Sequence, residues 1–243
     1  MSLPLVQKVL GKGNFGTVSL VTFKGKKAVM KIPHAEAQDP DTENPTKNMM
    51  RQIANYKLLD TALKKRPEFA PYFLQLYEHG NIMKPFIILE YFENNTTLRQ
   101  FVNGDYIKYL PDMTVFNIIS SIFQAIKFLH DSGLIHNDLH VDNILVNPRN
   151  GLIKIIDYGE MERSKNYKLD MNFLKFTIMN LLNYKNVIVD KCKFASNDKF
   201  IIFGKLFACL TGQDENKSID LEKFYKAATK FNHYTFVKKW SVE

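Results

Sequence analysis

One stretch of 26 residues, Leu134–Gly159, constrains the possible folds of this chain more than any other part of the sequence. It contains two short, apolar, β-prone runs, 144–146 and 153–156, separated by the turn-forming sequence NPRNG. The pattern predicts a two-stranded ribbon. Such a ribbon would bring Asp138, before its first strand, close to Asp157, after its second.

Three polar side chains of this stretch have the chemistry that phosphoryl transfer requires. Asp138 can accept a proton from an attacking hydroxyl group. Asn143 and Asp157 offer hard oxygen ligands of the kind that Mg²⁺ prefers. The residue types therefore favour phosphoryl transfer as the reaction.

At these positions the chain resembles the protein kinase superfamily. The sequence HNDLHVDN at 136–143 fits the catalytic-loop motif of that family, and DYG at 157–159 stands where the family carries DFG. The resemblance implies that Asp138 orients and deprotonates the acceptor hydroxyl. It also implies that Asn143 and Asp157 hold the metal ion.

A second motif lies near the start of the chain, where GKGNFGTV at 11–18 is a complete G-x-G-x-x-G-x-V. Its glycines let backbone N–H groups approach phosphate oxygens without a Cβ in the way. Dinucleotide-binding folds place G-x-G-x-x-G between a strand and a helix. Here a strand is expected before the glycines, at Val6–Leu10, and two strands after them, at Thr17–Phe23 and Lys27–Ile32. This context favours the kinase motif.

The third of these strands carries AVMK, which matches V-A-I-K of the family and implies that Lys31 points toward the phosphates of ATP. The family pairs this lysine with a glutamate of the following helix. The best register puts Gln52 at that position, with Glu36 and Glu43 as possible substitutes from the preceding loop. Glutamine can hydrogen-bond an ammonium group but lacks the charge-assisted part of the interaction.

Phe73–Tyr77 and Pro85–Tyr91 are expected as the last two strands of the small lobe. The sequence EYFENNTTL, which follows Leu89, resembles the hinge of the family. By that resemblance Leu89 is the gatekeeper, and the backbone of Glu90 and Phe92 meets the adenine edge. The ATP-binding residues implied are Leu10, Gly11, Gly13, Gly16, Val18, Val29, Lys31, Glu90, Phe92 and Leu145.

The chain departs from the family in the catalytic loop and just after it. His140 replaces the usual lysine and can donate to a γ-phosphate oxygen, although as a weaker and pH-dependent cation. Asn137 replaces the arginine that binds a phosphorylated activation loop, so that control is predicted to be absent. Only ten residues separate Gly159 from Asp170, whose family counterpart ties down the catalytic-loop backbone. A normal peptide-docking segment does not fit there.

The motifs predict an α+β, bilobal, protein-kinase-like fold with a small antiparallel β-sheet lobe and a mainly helical large lobe. The expected domains are an N-terminal nucleotide-binding lobe, 1–92, and a C-terminal catalytic lobe, 93–243. The resemblance covers about residues 5–184. Apolar spacing predicts helices at Thr46–Leu63, Leu98–Val102, Met113–Ser132, Phe173–Tyr184, Phe200–Thr211 and Leu221–Phe231.

Composition narrows the expected surroundings of the protein. The 243 residues are 45% apolar, enough for a sizeable core. No apolar run approaches ~18 residues, so no membrane span is expected, and the N-terminus does not resemble a signal peptide. Cys192 and Cys209 have no metal-type spacing and indicate a reducing compartment, cytoplasmic or nuclear. The net charge of +8 comes from scattered lysines, so nucleic acid is not indicated as a partner.

Three functions stay open from the sequence. The first is transfer from ATP with Mg²⁺ to Ser or Thr of a protein, with activity that is either constitutive or set by an activating protein partner. The HND and DYG variants resemble kinases of large DNA viruses of insects. The second is a small-molecule kinase similar to aminoglycoside and choline phosphotransferases, favoured by His140. The third is a pseudokinase scaffold, favoured by Gln52 and His140. The chain retains Lys31, Asp138, Asn143 and Asp157, which argues against a pseudokinase. The candidate catalytic and metal-binding residues are these four and His140.

Overall fold

The computed structural model describes residues 3–35, 43–104 and 112–184. Within these ranges the chain forms one five-stranded antiparallel sheet, two smaller sheets and four α-helices. A small β lobe precedes a larger lobe built mainly on helices, which confirms the predicted α+β, two-lobed fold. The division at residue 92 stays a prediction, and the helices predicted at 200–211 and 221–231 lie outside the described residues.

The small lobe is a five-stranded sheet of β1 Val6–Lys12, β2 Gly16–Phe23, β3 Lys26–Pro33, β4 Leu76–Asn81 and β5 Lys84–Glu90. The strand order is β1-β2-β3-β5-β4. Buried and more exposed positions alternate along the second half of β2, so one face of the sheet buries Val21 and Phe23 against Met30 and Ile88. The turn between β2 and β3 has positive φ at Lys24 and Gly25, as a tight hairpin requires.

The position of β4 corrects one prediction. The expected strand Phe73–Tyr77 was wrong at its start, because a 3₁₀ helix, Pro67–Tyr72, leads into an extended segment that joins β4 only at Leu76. Phe73 is buried in the main core and bridges Ile155 of the large lobe. Its apolar side chain therefore packs between the lobes and not within the sheet. β4 is an edge strand and pairs with one neighbour only. Polar residues can therefore continue the strand after Leu76.

The helices are α1 Pro45–Leu63, α2 Leu98–Asn103, α3 Asp112–Asp131 and α4 Lys168–Tyr184. All four predicted positions agree, although α4 begins before Phe173. The apolar stripe of α3 forms the centre of the main core, and Gly133, with a φ of 70°, follows the helix in the left-handed conformation typical of a C-terminal cap. No helix in the described part of the chain has an apolar stretch long enough to cross a bilayer.

The predicted ribbon is present and has a third strand. The short strands are β6 Thr96–Thr97, β7 Leu134–Ile135, β8 Ile144–Val146, β9 Ile153–Ile155 and β10 Glu162–Arg163. In the ribbon, β8 pairs with β9, with Ile144 opposite Ile155, and β6 pairs with the outer edge of β8. Strands β7 and β10 form a separate pair next to the catalytic loop.

Candidate active site

A cleft of about 320 Å³ lies between the five-stranded sheet and the ribbon. Most of the residues predicted to bind nucleotide line it: Leu10, Gly11, Val18, Val29, Lys31, Glu90, Phe92 and Leu145. Gly13 and Gly16 are not part of this lining. Ile87 also lines the cleft and had not been predicted, although it lies two residues before Leu89 on the same strand. Alternate residues of a β-strand point to the same face, so the position of Leu89 could have identified Ile87 as a residue of the cleft.

The glycine-rich sequence forms the hairpin between β1 and β2. The N–H of Gly13 donates to the carbonyl of Gly16 at 3.0 Å, and the His34 ring lies 2.9 Å from the Gly13 carbonyl. A Cβ at Gly16 would collide with the carbonyl oxygen of Ile32, whereas a Cβ at Gly11 or Gly13 would meet nothing within 4 Å. Packing of β2 on β3 therefore requires glycine at position 16. At the other two positions glycine leaves the backbone open to a ligand.

Lys31 meets the residue that the sequence register assigned to it. Its Nζ donates to Gln52 Oε1 at 3.0 Å and lies 3.7 Å from Asp157 Oδ2. The amide nitrogen of Gln52 in turn donates to Asn48 Oδ1 at 2.6 Å, one turn earlier on α1. The helix is thus docked against the sheet with its polar side chain in the cleft.

Glu43, the loop glutamate that the structure describes, does not take the place of Gln52. The carboxylate of Glu43 pairs with Arg51 at 2.9 Å and with Lys47 at 3.9 Å. Glu36 lies outside the described residues. Gln52 is therefore the helix residue that contacts Lys31.

Asp170 ties down the catalytic loop, as the resemblance implied. Its two carboxylate oxygens accept from the backbone N–H groups of His136 and Asn137, each at 2.8 Å. His130 Nε2 lies 3.0 Å from the same carboxylate, and both side chains are buried. Burial alone would raise the pKa of Asp170, but the hydrogen bonds from His130 and the His136 N–H outweigh it and lower that pKa.

His136 joins the catalytic loop to the end of β9. Its Nε2 lies 2.9 Å from the carbonyl of Ile156, and its Nδ1 accepts from the Asp138 N–H at 3.3 Å. One ring nitrogen must donate and the other accept, so these partners select the neutral Nε2–H tautomer. Burial lowers the pKa of His136, which agrees with a neutral ring.

Asp138, His140 and Asn143 come together in the loop before β8. The amide nitrogen of Asn143 donates to the Asp138 carbonyl at 2.9 Å and to its carboxylate at 3.1 Å. His140 Nε2 lies 3.1 Å from that nitrogen and 3.6 Å from Asp138 Oδ2. Because the amide nitrogen of Asn143 binds Asp138, its amide oxygen is the atom that can serve as a metal ligand.

Asp157 lies at the same end of the ribbon as Asn143, because the N–H of Ile156 donates to the Asn143 carbonyl at 2.9 Å. Its φ of 61° is left-handed. One carboxylate oxygen accepts from the Gly159 N–H at 3.3 Å, and the other faces Lys31 across the cleft. A carboxylate and an amide oxygen beside a solvent-accessible cleft fit Mg²⁺, which keeps several waters as ligands.

The ring of Tyr158 is fully buried behind the metal-ligand candidate. It packs edge-on against Tyr56 with 4.8 Å between ring centroids, and it also contacts Phe73 and His136. The phenol donates to the Ile155 carbonyl at 2.5 Å, so the extra hydroxyl relative to phenylalanine is satisfied. Burial raises the pKa of Tyr158, which keeps it a donor.

A partly buried ion pair that was not predicted lies behind the hinge. Lys154 Nζ is 2.8 Å from Glu90 Oε2 and donates to the Phe73 carbonyl at 2.9 Å. The signal in the sequence is a lysine between two isoleucines, on a strand whose three residues are all buried. The pair joins the ribbon to the hinge and to the segment before β4.

The ten residues between Gly159 and Asp170 are held by local contacts. Strand β10 pairs with β7, and the N–H of Ser164 donates to the Gly133 carbonyl at 3.2 Å. The ring of Tyr167 stacks on His130 with 4.2 Å between centroids. The segment is thus short and packed against the catalytic loop.

Comparison with known proteins agrees with this site. The model of the protein kinase domain family matches residues 5–191. The chain therefore belongs to the protein kinase family.

Several curated relatives are serine/threonine kinases by name. L268 of Acanthamoeba polyphaga mimivirus, a candidate serine/threonine-protein kinase, is 27% identical over 234 residues, which cover 88% of this chain and 39% of that one. The serine/threonine-protein kinase PRR2 of Saccharomyces cerevisiae is 32% identical over 62% of this chain and 20% of its own. Mitogen-activated protein kinase kinase 2 of Arabidopsis thaliana is 29% identical over 63% of this chain and 38% of its own. The chain thus spans 20% to 39% of the length of these relatives.

Proposed function

We propose that this protein transfers the γ-phosphoryl group of ATP to serine or threonine hydroxyls of protein substrates, with Mg²⁺ as cofactor. The observation that carries the proposal is the arrangement of four polar side chains at one end of the ribbon. Lys31 and Asp157 line the cleft and lie 3.7 Å apart. Asn143 binds Asp138 in the loop before β8, and its carbonyl accepts from the N–H of Ile156, next to Asp157. Membership of the protein kinase family supports protein as the substrate class. The names of the relatives support serine and threonine as acceptors.

The cleft suits an adenine nucleotide. Leu10, Val18 and Val29 line its sheet side and Leu145 its ribbon side, so a flat base would lie between two apolar layers. The glycine-rich hairpin offers its backbone to the phosphates. Lys31 would bind the α- and β-phosphates as a cation.

The polar residues then divide the roles of the transfer, and Asn143 has two of them. Asp138 accepts the proton of the attacking hydroxyl while the hydroxyl oxygen bonds to the γ-phosphorus and the bond from that phosphorus to ADP breaks. Asn143 orients the Asp138 carboxylate. His140, whose Nε2 lies 3.6 Å from Asp138 Oδ2, would donate to a γ-phosphate oxygen. Asn143 and Asp157 would hold Mg²⁺, which neutralises charge on the phosphates when bound.

The test is incubation of the purified protein with labelled ATP, Mg²⁺ and a generic basic protein, followed by mapping of the modified residues. We expect phosphoserine or phosphothreonine. Asp138→Asn should lower turnover by about 10²- to 10⁴-fold, because a general base acts in the chemical step, while nucleotide affinity stays close to that of the parent. Asp157→Asn should impair both.

The matched control is Asp131→Asn, the same change at an exposed carboxylate that pairs with Arg66 on the surface. It should keep the parent's turnover. An Asp138→Asn variant that turns over like the parent would show that another group is the base.

A protein partner that completes the substrate-docking surface is the further part of the proposal. The short segment before Asp170 supports it, because little chain is present there to hold a peptide. A cytoplasmic or nuclear location stays a prediction.

A further inference from the structure

Asn55, on α1, makes two hydrogen bonds that the proposed chemistry does not use. Its amide nitrogen donates to the Tyr158 carbonyl at 2.6 Å and to the Met161 carbonyl at 2.8 Å. Both hydrogens of the amide are therefore bound to the backbone that directly follows Asp157. The residue is 6% exposed, so these bonds form in an environment of low dielectric, where they are strong.

The backbone that Asn55 holds adjoins a strained residue. Asp157 has a φ of 61°, which is unfavourable for a residue with a Cβ and persists only where the surroundings impose it. Tyr158, the next residue, is fixed by its buried ring. The turn from Tyr158 to Met161, closed by a 3.3 Å backbone hydrogen bond, is fixed by Asn55. The direction of the Asp157 carboxylate depends on both.

A second contact between α1 and the same segment is weaker. Arg51 forms an ion pair with Glu160, but the two side chains are 37% and 50% exposed. Exposed ion pairs contribute little because solvent screens them and ordering the side chains costs entropy. The buried amide of Asn55 is therefore the stronger of these two attachments.

We propose that Asn55 is a positioning residue, which holds the turn Tyr158–Met161 against α1 and thereby keeps the Asp157 carboxylate directed into the cleft. The inference rests on the proposed function, in which Asp157 is a ligand of Mg²⁺. It explains how a segment of ten residues is held in place by a neutral side chain of the helix, with no modification of the segment itself.

The test compares three variants at position 55 with a control in the core. Asn55→Leu removes both donors and keeps the branched shape of the side chain, and Asn55→Asp puts carboxylate oxygens against two carbonyl oxygens. Asn55→His keeps one donor. The control, Ile122→Val, removes one methylene group from the buried face of α3. Three quantities are measured: turnover against Mg²⁺ concentration, Mg²⁺-dependent binding of a fluorescent ATP analogue, and amide hydrogen exchange of 157–163 without ligand.

For Asn55→Leu and Asn55→Asp we expect the Mg²⁺ concentration at half-maximal turnover to rise about 10- to 100-fold, as for other residues that orient metal ligands. Turnover should recover partly at high Mg²⁺. Exchange of 157–163 should accelerate while exchange in α3 stays unchanged. Asn55→His should fall between these variants and the parent, and Ile122→Val should lose thermal stability without a change in Mg²⁺ dependence.

The proposal is overturned if Asn55→Leu matches Ile122→Val in both Mg²⁺ dependence and exchange of 157–163, since Asn55 would then be only structural. If Asn55→Leu does not fold, Asn55→His decides by the same comparison. A parent protein that transfers no phosphate refutes the proposed function alone. Exchange and Mg²⁺-dependent nucleotide binding then still decide the role of Asn55.

Discussion

At the scale of single residues, the pairing of Lys31 with an amide sets the charge of the cleft. Gln52 is buried and neutral, so it satisfies the lysine without adding a negative charge near the phosphates. An amide also avoids the desolvation cost of a buried carboxylate. Gln52 is therefore compatible with a working site, although the family normally has an ion pair there.

Gln52→Glu should leave kcat/KM unchanged or raise it by up to about threefold, an effect of ~0.7 kcal/mol. The new ion pair with Lys31 is favourable, but burial offsets much of it. The change also removes the donor to Asn48, which must turn its own amide to compensate. Steady-state kinetics with varied ATP measure the effect.

Gln52→Met is the matched control, because it keeps the length of the side chain and removes the acceptor for Lys31. It should lower kcat/KM. If Gln52→Glu loses as much as Gln52→Met, the contact with Lys31 does not serve the reaction as inferred.

At the scale of elements, the anchoring of the catalytic loop makes stability depend on pH. The pKa of His136 and the pKa of Asp170 are both lowered in the folded protein. The unfolded chain therefore binds these protons more readily, and stability is lost as the pH falls. The free energy of unfolding should begin to fall below pH 6.5, the ordinary pKa of histidine. It should fall further below about pH 3.9, the ordinary pKa of aspartate.

Asp170→Asn tests the second part of this loss. It should lower the free energy of unfolding at pH 7 by about 1–3 kcal/mol, because a charged acceptor of buried backbone N–H groups is replaced. It should also reduce the decline of the free energy of unfolding below pH 4. Urea unfolding at several pH values measures both. Asp60→Asn, at an exposed pair with Lys64, should retain the parent's profile; a parent-like profile for Asp170→Asn would contradict the linkage.

The segment before α4 should not act as a phosphorylation switch. Ser164 makes a local contact with the Asn166 N–H, and Tyr167 stacks on His130 through its ring, which phenylalanine retains. Ser164→Ala combined with Tyr167→Phe should therefore keep turnover within about threefold of the parent, below ~0.7 kcal/mol. Phosphatase treatment should be equally mild. Loss of turnover with nucleotide binding intact, after either treatment, would identify a switch and refute the role inferred from Asn137.

The sequence predicted the contacts that short motifs determine. The contact of Lys31 with Gln52 and that of Asp170 with the catalytic loop were implied by the resemblance of those motifs to the kinase family. Asn55 and Lys154 could not be found in this way, because their partners lie 103 and 64 residues away and only the packing of the lobes brings them together. The start of β4 was misplaced for a similar reason, since the apolar Phe73 packs against the ribbon.

At the scale of the whole molecule, the cleft draws on both lobes, so a nucleotide should bind the folded chain and not the unfolded one. Saturation at 100 times the Kd should then add about 2.7 kcal/mol to the free energy of unfolding and raise the Tm. Differential scanning fluorimetry with ATP and Mg²⁺ measures this shift. Lys31→Met should reduce it, and no shift at millimolar nucleotide would refute the nucleotide site.

The glycine-rich hairpin has a consequence for the history of such chains. A mutation at Gly16 is eliminated through misfolding in any lineage, because β3 leaves no room for a side chain there. A mutation at Gly11 or Gly13 meets no such obstacle and is eliminated only while the ligand matters to the organism. Descendants that abandon the reaction should therefore lose the first two glycines by drift and keep the third. The set of glycines retained in this hairpin then indicates whether selection still acts on the reaction or only on the fold.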